Sequence, residues 1–136
     1  MSIAAAVRGI IASDADVTAL AGGRICVDFI PEDSLMPAAL LYIISENSED
    51  CLSGFVGFEI AKIRTECYGQ TREEADTLHK ALRGSLNGVL GKYGDIVIKG
   101  IGQDTGRSYL VEKPNDGTDN WLFRTIQTFE VTYNSF

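Results

Sequence analysis

Residues able to do chemistry are few and scattered along this chain. The single histidine, His79, stands between Leu78 and Lys80-Ala81 in the middle of a helical stretch. There it reads as a solvated or helix-edge side chain rather than a general base. Without a second histidine, neither metal-assisted hydrolysis nor Ser/His chemistry has its parts, and no Gly-x-Ser-x-Gly occurs. Cys26, Cys51 and Cys67 are odd in number and contain no Cys-x-x-Cys. A zinc site wants four N or S ligands, often closely spaced, so these read as free thiols of a reducing compartment. The acid pairs Glu32/Asp33 and Glu49/Asp50 fall in expected loops and lack the oxygen-rich spacing of a calcium loop. Gly100-Ile101-Gly102 follows an expected strand with no helix after it, and Gly91-Lys92 lacks both the upstream loop and the Ser/Thr of a P-loop. The expectation is no catalytic residue, no metal and no cofactor.

Size and charge narrow the class further. The 136 residues are enough for one domain, 1–136, with a hydrophobic core that needs no staples. No apolar run approaches the ~20 residues that span a bilayer, and Arg8, Asp14 and Asp16 spoil a secretory leader. The net charge is −7 and uneven: residues 1–57 hold eight acids against Arg8 and Arg24. Wrapping a phosphate backbone needs the opposite sign. Such an acidic face repels nucleic acid, meets a basic partner, or is simply solvated.

The elements that position these residues follow from periodicity. Ile3, Ala6, Val7, Ile10 and Ile11 recur at helical spacing behind Ser2, a possible N-cap. A short second helix fits Asp16 to Ala21, capped by Asp14 or Asp16 and stopped by Gly22-Gly23. Arg24–Phe29 reads as a strand, and Ala38–Ser45 as a strand covered on both faces, with a buried helix turn as the competing reading. Glu46–Gly57 looks too irregular for an element. Phe58–Tyr68 alternates cleanly, with Ala61, Ile63, Thr65 and Cys67 on the core side and Lys62, Arg64 and Glu66 on the wet side. Thr71 and Glu74 make a capping box that opens a helix striped by Ala75, Leu78, Leu82, Leu86 and Val89, with Gly91 as its end. Asp95–Ile101, a short Tyr109–Glu112 and Trp121–Tyr133 complete the strands. The fold class is therefore α+β: a mostly antiparallel β-sheet with two helices packed on one face.

What remains is surface suited to protein contact. Ile30, Leu35, Met36, Leu52, Phe55 and Val56 are bulky apolar residues in expected loops, which either tuck into the core or pack on a neighbouring subunit.

Taken in order, these pieces resemble the tail completion, or tail terminator, proteins of long-tailed bacteriophages and prophages. The resemblance runs over nearly the whole chain. It is carried by Asp14–Ile25 (DADVTALAGGRI), the loop ending Met36-Pro37, Leu52-Ser53-Gly54, and the strand ending Cys67-Tyr68-Gly69. The helix opening Thr71-Arg72-Glu73-Glu74-Ala75-Asp76 matches most strongly, and the strand from Phe123 to Tyr133 closes the pattern. The resemblance implies no enzyme activity. It implies a self-assembled ring, commonly a hexamer, that caps the tail tube and ends its polymerisation. Such a ring contacts the tail tube protein and the head–tail connector protein, lets DNA through its lumen, and touches no membrane. It implies assembly in the bacterial host cytoplasm and residence in the virion tail. On this reading the six apolar loop residues are contact candidates. Glu32, Asp33, Glu49 and Asp50 are candidates for an acidic lumen. Another head–tail joining protein, or a small α+β ligand-binding or enzyme domain, fits the same residues as an alternative. Replacing Phe55 and Val56 with Ser is expected to lower ring mass in light scattering more than it lowers the melting temperature of the protomer; equal loss of both refutes the contact role.

Overall fold

The computed structural model describes residues 2–31, 34–51, 54–103, 106–112 and 121–135, and side chains throughout these except at 48–51, 54–57, 112 and 135. Two helices open the chain, α1 (Ile3–Ala12) and α2 (Ala15–Ala21). Each begins where its sequence supplies an oxygen for an orphan N–H. The Ser2 hydroxyl accepts from the Ala5 amide at 3.1 Å, and the Asp14 carboxylate accepts from Asp16 and Val17 at 2.9 and 3.2 Å. Gly22 ends α2 at φ 59°, a backbone state that favours glycine.

A mixed seven-stranded sheet follows: β1 (Ile25–Val27), β2 (Ala38–Cys51), β3 (Gly54–Gly69), β4 (Gly91–Tyr93), β5 (Ile96–Gln103), β6 (Ser108–Glu112) and β7 (Leu122–Ser135). The spatial order is β1-β2-β3-β7-β5-β4, with β6 paired to the first half of β7. β1 lies parallel to β2 and every other pairing is antiparallel. The class is α+β as expected, with one parallel pair in the sheet.

The stretch Glu46–Gly57, expected to be irregular, instead extends β2 and β3 into a long hairpin. Glu49 and Asp50, and Phe55 and Val56, therefore lie on strands rather than in a loop. The alternation is hidden by two register shifts, at Ile43/Ser45 and Glu49/Asp50. The first leaves Ile44 as one extra residue on β2 and exchanges the faces of those that follow, and the second leaves residues 56 and 57 extra on β3. Leu41 and Ile43 face the helices, but after the first shift it is Glu46 that pairs with core-facing Ala61.

The third helix, α3 (Arg72–Leu86), starts as its capping residues direct. Thr71 Oγ1 accepts from the Glu74 amide at 3.1 Å, and Glu74 Oε1 reaches back to the Gln70 amide at 3.2 Å. It ends at Leu86 rather than Gly91, because Gly88 turns the chain at φ 71° and Gly91 already opens β4. Val89 contributes to the core from this turn.

Three helices, rather than the two expected, cover one face of the sheet. Ile3, Val7, Ile11, Val17, Leu78, Leu82 and Leu86 meet Leu41, Ala61, Ile63, Cys67, Ile98, Phe129 and Val131 in one buried cluster. Each such large aliphatic contributes about 1.5–3 kcal/mol by leaving water. The parity expected for β3 holds on this face. On the opposite face the wet reading fails for Glu66, which is buried and ion-paired to Arg124 at 3.0 Å. The Arg124 guanidinium lies 5.0 Å from the Tyr68 ring centre, and Arg64 donates to the Tyr42 hydroxyl at 3.3 Å. Long side chains thus cover the strands that carry them.

Gly69 joins β3 to α3 in a space with no room for a side chain. A Cβ there would stand 2.7 Å from the Ala75 backbone nitrogen and 3.1 Å from the Thr71 carbonyl oxygen. Gly84, exposed on α3, has nothing within 4 Å of such an atom. Chemical denaturation is expected to show Gly69→Ala destabilising by about 1–3 kcal/mol and Gly84→Ala stabilising by about 0.5–1 kcal/mol.

Candidate assembly surface

A folded chain leaves many single apolar side chains in water, and only their grouping is informative. Among the described residues the exposed large ones are Phe29, Leu35, Ile44, Leu90, Tyr109, Leu110, Val111 and Trp121. Phe29 and Leu35, about 70% exposed, lie on the connection from β1 to β2, and Ile44 sits at the first register shift of β2. Tyr109, Leu110 and Val111 are three consecutive residues of β6, and Trp121 precedes its partner β7. The sheet therefore ends in an apolar strip on each side.

Of the contact candidates read from sequence, Leu35 is exposed, while Ile30 and Met36 are half-buried, Met36 before a cis proline bond. Leu52, Glu32 and Asp33 lie outside the described residues, as do the side chains of Phe55, Val56, Glu49 and Asp50. Phe29, Ile44 and Trp121 were missed as contact candidates, and the β6 triplet was not singled out. A signal existed for the triplet: three consecutive apolar residues on a strand cannot all face one core.

Between α3 and the β5–β6 side of the sheet run two adjoining grooves. One, of about 530 Å³, is lined by Lys80, Arg83, Asn87, Ile101, Gln103 and Phe129 among others. The other, of about 730 Å³, is lined by Arg72, Glu73, Asp76, Thr77, Lys80 and Arg107. The Arg72 guanidinium lies 5.1 Å from the Tyr109 ring centre and 5.9 Å from that of Phe123, within cation–π range. With the Gln103 amide oxygen turned toward α3, it accepts from Arg83 Nε at 2.6 Å and Nη2 at 2.9 Å, an orientation assigned from hydrogen-bond geometry. The region is basic on a chain that is acidic overall.

Behind these grooves His79 is fully buried on α3, contrary to its sequence reading as an edge residue. It occupies a position of the apolar stripe with Ala75, Leu78, Leu82 and Leu86. Burial first, then the Arg107 and Arg83 charges, lower its pKa to about 4 against opposing contributions from Gln127 and Asp76. At neutral pH it is an uncharged packing residue. Burial and the neighbouring Glu66 push the Cys67 thiol up, which leaves it inert, and Cys26 is free and half-buried. Tyr133 is likewise pushed up by burial, by Glu46 and by Glu59, and donates to Glu46 Oε1 at 3.1 Å. Among the described residues no three His, Cys, Asp or Glu side chains gather as a metal site. No helix among them is long and apolar enough to cross a membrane.

No family model matches the chain, and no curated protein matches its sequence. Its fold is similar to that of a chain in the solved structure of the virion of a native gene transfer agent particle. The TM-score is 0.63 at 16% sequence identity, and the match covers 98% of this chain and 96% of that one. The two chains share a fold across almost their whole lengths.

The depressed pKa of His79 fixes a pH dependence. Below about 6.5 the unfolded chain takes up a proton that the folded chain refuses until about pH 4. This contribution to stability is complete above pH 6.5 and is lost as pH falls toward 4. The loss amounts to about 3 kcal/mol. His79→Leu is expected to flatten the denaturation-derived stability profile across this window relative to wild type. An unchanged profile would show that His79 titrates normally.

Proposed function

We propose that this chain is a structural protein of a phage-like virion, and within that class a tail terminator. The observation that carries the reading is the fold shared over nearly the full length with a chain of the gene transfer agent virion. Two strips of exposed apolar residues on opposite sides of one sheet support it, since a protomer of a closed ring needs two different faces that mate.

In this reading residues 1–136 act as one terminator-like domain. Copies of it form a ring, a hexamer by analogy with the resembled family. The ring caps the tail tube, ends its polymerisation, and offers its other face to the head–tail connector protein. Its partners are other copies of itself, the tube protein and the connector, and DNA only in passage. The chain assembles in the host cytoplasm, stays in the virion tail, and performs no catalysis. Leu35, with Ile30 and Met36 beside it, belongs to a contact surface. Glu32, Asp33, Glu49 and Asp50 are proposed to keep the lumen acidic, so that the DNA backbone is repelled within roughly a Debye length, ~8 Å at physiological salt.

The test is direct. Tubes assembled from the tube protein of the same particle are mixed with this chain and viewed by negative-stain microscopy. A cap at one end and arrested elongation are the expected result. Tubes that bear no cap and keep growing refute the terminator role.

A further inference from the structure

The groove between α3 and the end of β5 opens where β7 changes partners. β5 runs beside β7 as far as Gln103 opposite Phe129, and β6 takes over at Ser108 opposite Ile126. Lys80, Arg83 and Asn87 follow one another at helical spacing on α3 and just beyond it, so one exposed stripe faces the groove. Leu86, Ile101 and Phe129 supply an apolar wall.

The charges of this groove are unmatched. Among the described residues its lining holds Lys80 and Arg83 and no Asp or Glu, on a chain that carries 19 acids. The adjoining groove differs, because there Arg72 and Arg107 are offset by Glu73 and Asp76. The helix dipole favours a cation in the last turn of α3, which accounts for Arg83 but not for Lys80. Arg83 is also fixed in direction. The Gln103 amide oxygen accepts from its Nε at 2.6 Å and from its Nη2 at 2.9 Å. A neutral acceptor orients the guanidinium without cancelling its charge. It leaves the Nη1 hydrogens and the second Nη2 hydrogen for a planar, two-oxygen anion.

We propose that this groove binds an acidic peptide segment of a partner protein. A Glu or Asp carboxylate of that segment lies on Arg83 and Lys80, and an apolar side chain next to it lies on Ile101 and Phe129. The groove, of about 530 Å³, has the volume for such a segment. A phosphate backbone is the poorer occupant. It needs many cations on one face to gain from released counterions, and the net charge of −7 opposes it. The apolar wall also offers nothing to a bare phosphate. The inference adds a partner surface to the assembly reading above and does not depend on tube capping.

The probe is acetyl-Leu-Glu-Glu-Leu-amide, with acetyl-Leu-Gln-Gln-Leu-amide as its uncharged control. Each is titrated into the isotope-labelled full chain at neutral pH and low salt and followed by amide NMR. The acidic peptide is expected to saturate at millimolar concentration and to move the signals of residues 80–87 and 101–103. The control is expected to bind at least about tenfold more weakly, and high salt to weaken the acidic peptide. Lys80→Gln removes one charge, and Arg83→Lys keeps the charge but loses the fork. Each is expected to weaken the acidic peptide at least about threefold. Arg72→Gln, in the matched groove, is expected to bind as wild type does. All three positions are exposed, so the variants are expected to keep the wild-type melting temperature.

Equal binding of the two peptides overturns the inference, as do signals that move elsewhere, unchanged affinity in Lys80→Gln or Arg83→Lys, or no saturation at millimolar concentration. A loss in Arg72→Gln equal to that in Lys80→Gln overturns it too, since the attraction would then be one of general charge. Inorganic phosphate and a short single-stranded DNA are titrated in parallel. Either one saturating the same signals at a lower concentration than the acidic peptide assigns the groove to phosphate and overturns the peptide. Tube capping is scored separately, so the groove can fail while the terminator reading stands.

Discussion

The register between β3 and β7 is the constraint on which the rest of the molecule depends. Eleven consecutive pairs run from Glu59 with Tyr133 to Gly69 with Phe123 without a shift. Side chains alternate with period two, so a slip of one residue would turn Ala61, Ile63, Cys67, Phe129 and Val131 away from the helices. It would bring Lys62, Arg64, Arg124 and Glu130 under them. The unbroken register builds the apolar floor that all three helices share. It also fixes the point from which α3 departs, since Gly69 closes the ladder against the first turn of that helix. Because β3 and β7 occupy the middle of the strand order, the remaining strands extend the sheet to either side. The two open edges are thereby held apart and facing opposite ways.

The parts of the fold legible in the sequence are those with long, uninterrupted periodicity. β3 and β7 alternate over their paired lengths, and α3 shows its stripe and both capping residues. β2 beyond Ser45 was illegible because one inserted residue, Ile44, reverses its alternation, so a paired strand reads as a polar irregular stretch. β4 is three residues long, too short for any period, and it lies where the helix was expected to continue. Other misses were of partnership rather than of element. Glu66 was assigned to water by its type, yet Arg124, 58 residues away, neutralises it inside the sheet's second face. His79 was assigned to the surface by the same logic, although its spacing of four from Ala75 and three from Leu82 places it on the buried stripe.

Buried polar groups give the core its specificity as well as a liability. Thr65 donates to the Gln127 carbonyl at 3.1 Å, and Thr125 donates to Asp76 at 3.0 Å, so β3, β7 and α3 are tied at defined atoms. Such bonds contribute modestly when made and cost more when one partner is lost. A neutral imidazole among them packs without needing a counter-charge, whereas a protonated one would be stranded beside Arg83 and Arg107.

The candidate surface was only half legible, and the reason is topological. Leu35 stands out in a proline-bounded loop, but nothing local in Tyr109-Leu110-Val111 tells whether another strand covers it; that depends on the spatial order of strands far apart in sequence. Open edges are a hazard that sequences usually blunt with charge, bulges and short strands. Here β1 and β4 are three residues long and β2 is bulged, which limits indiscriminate pairing.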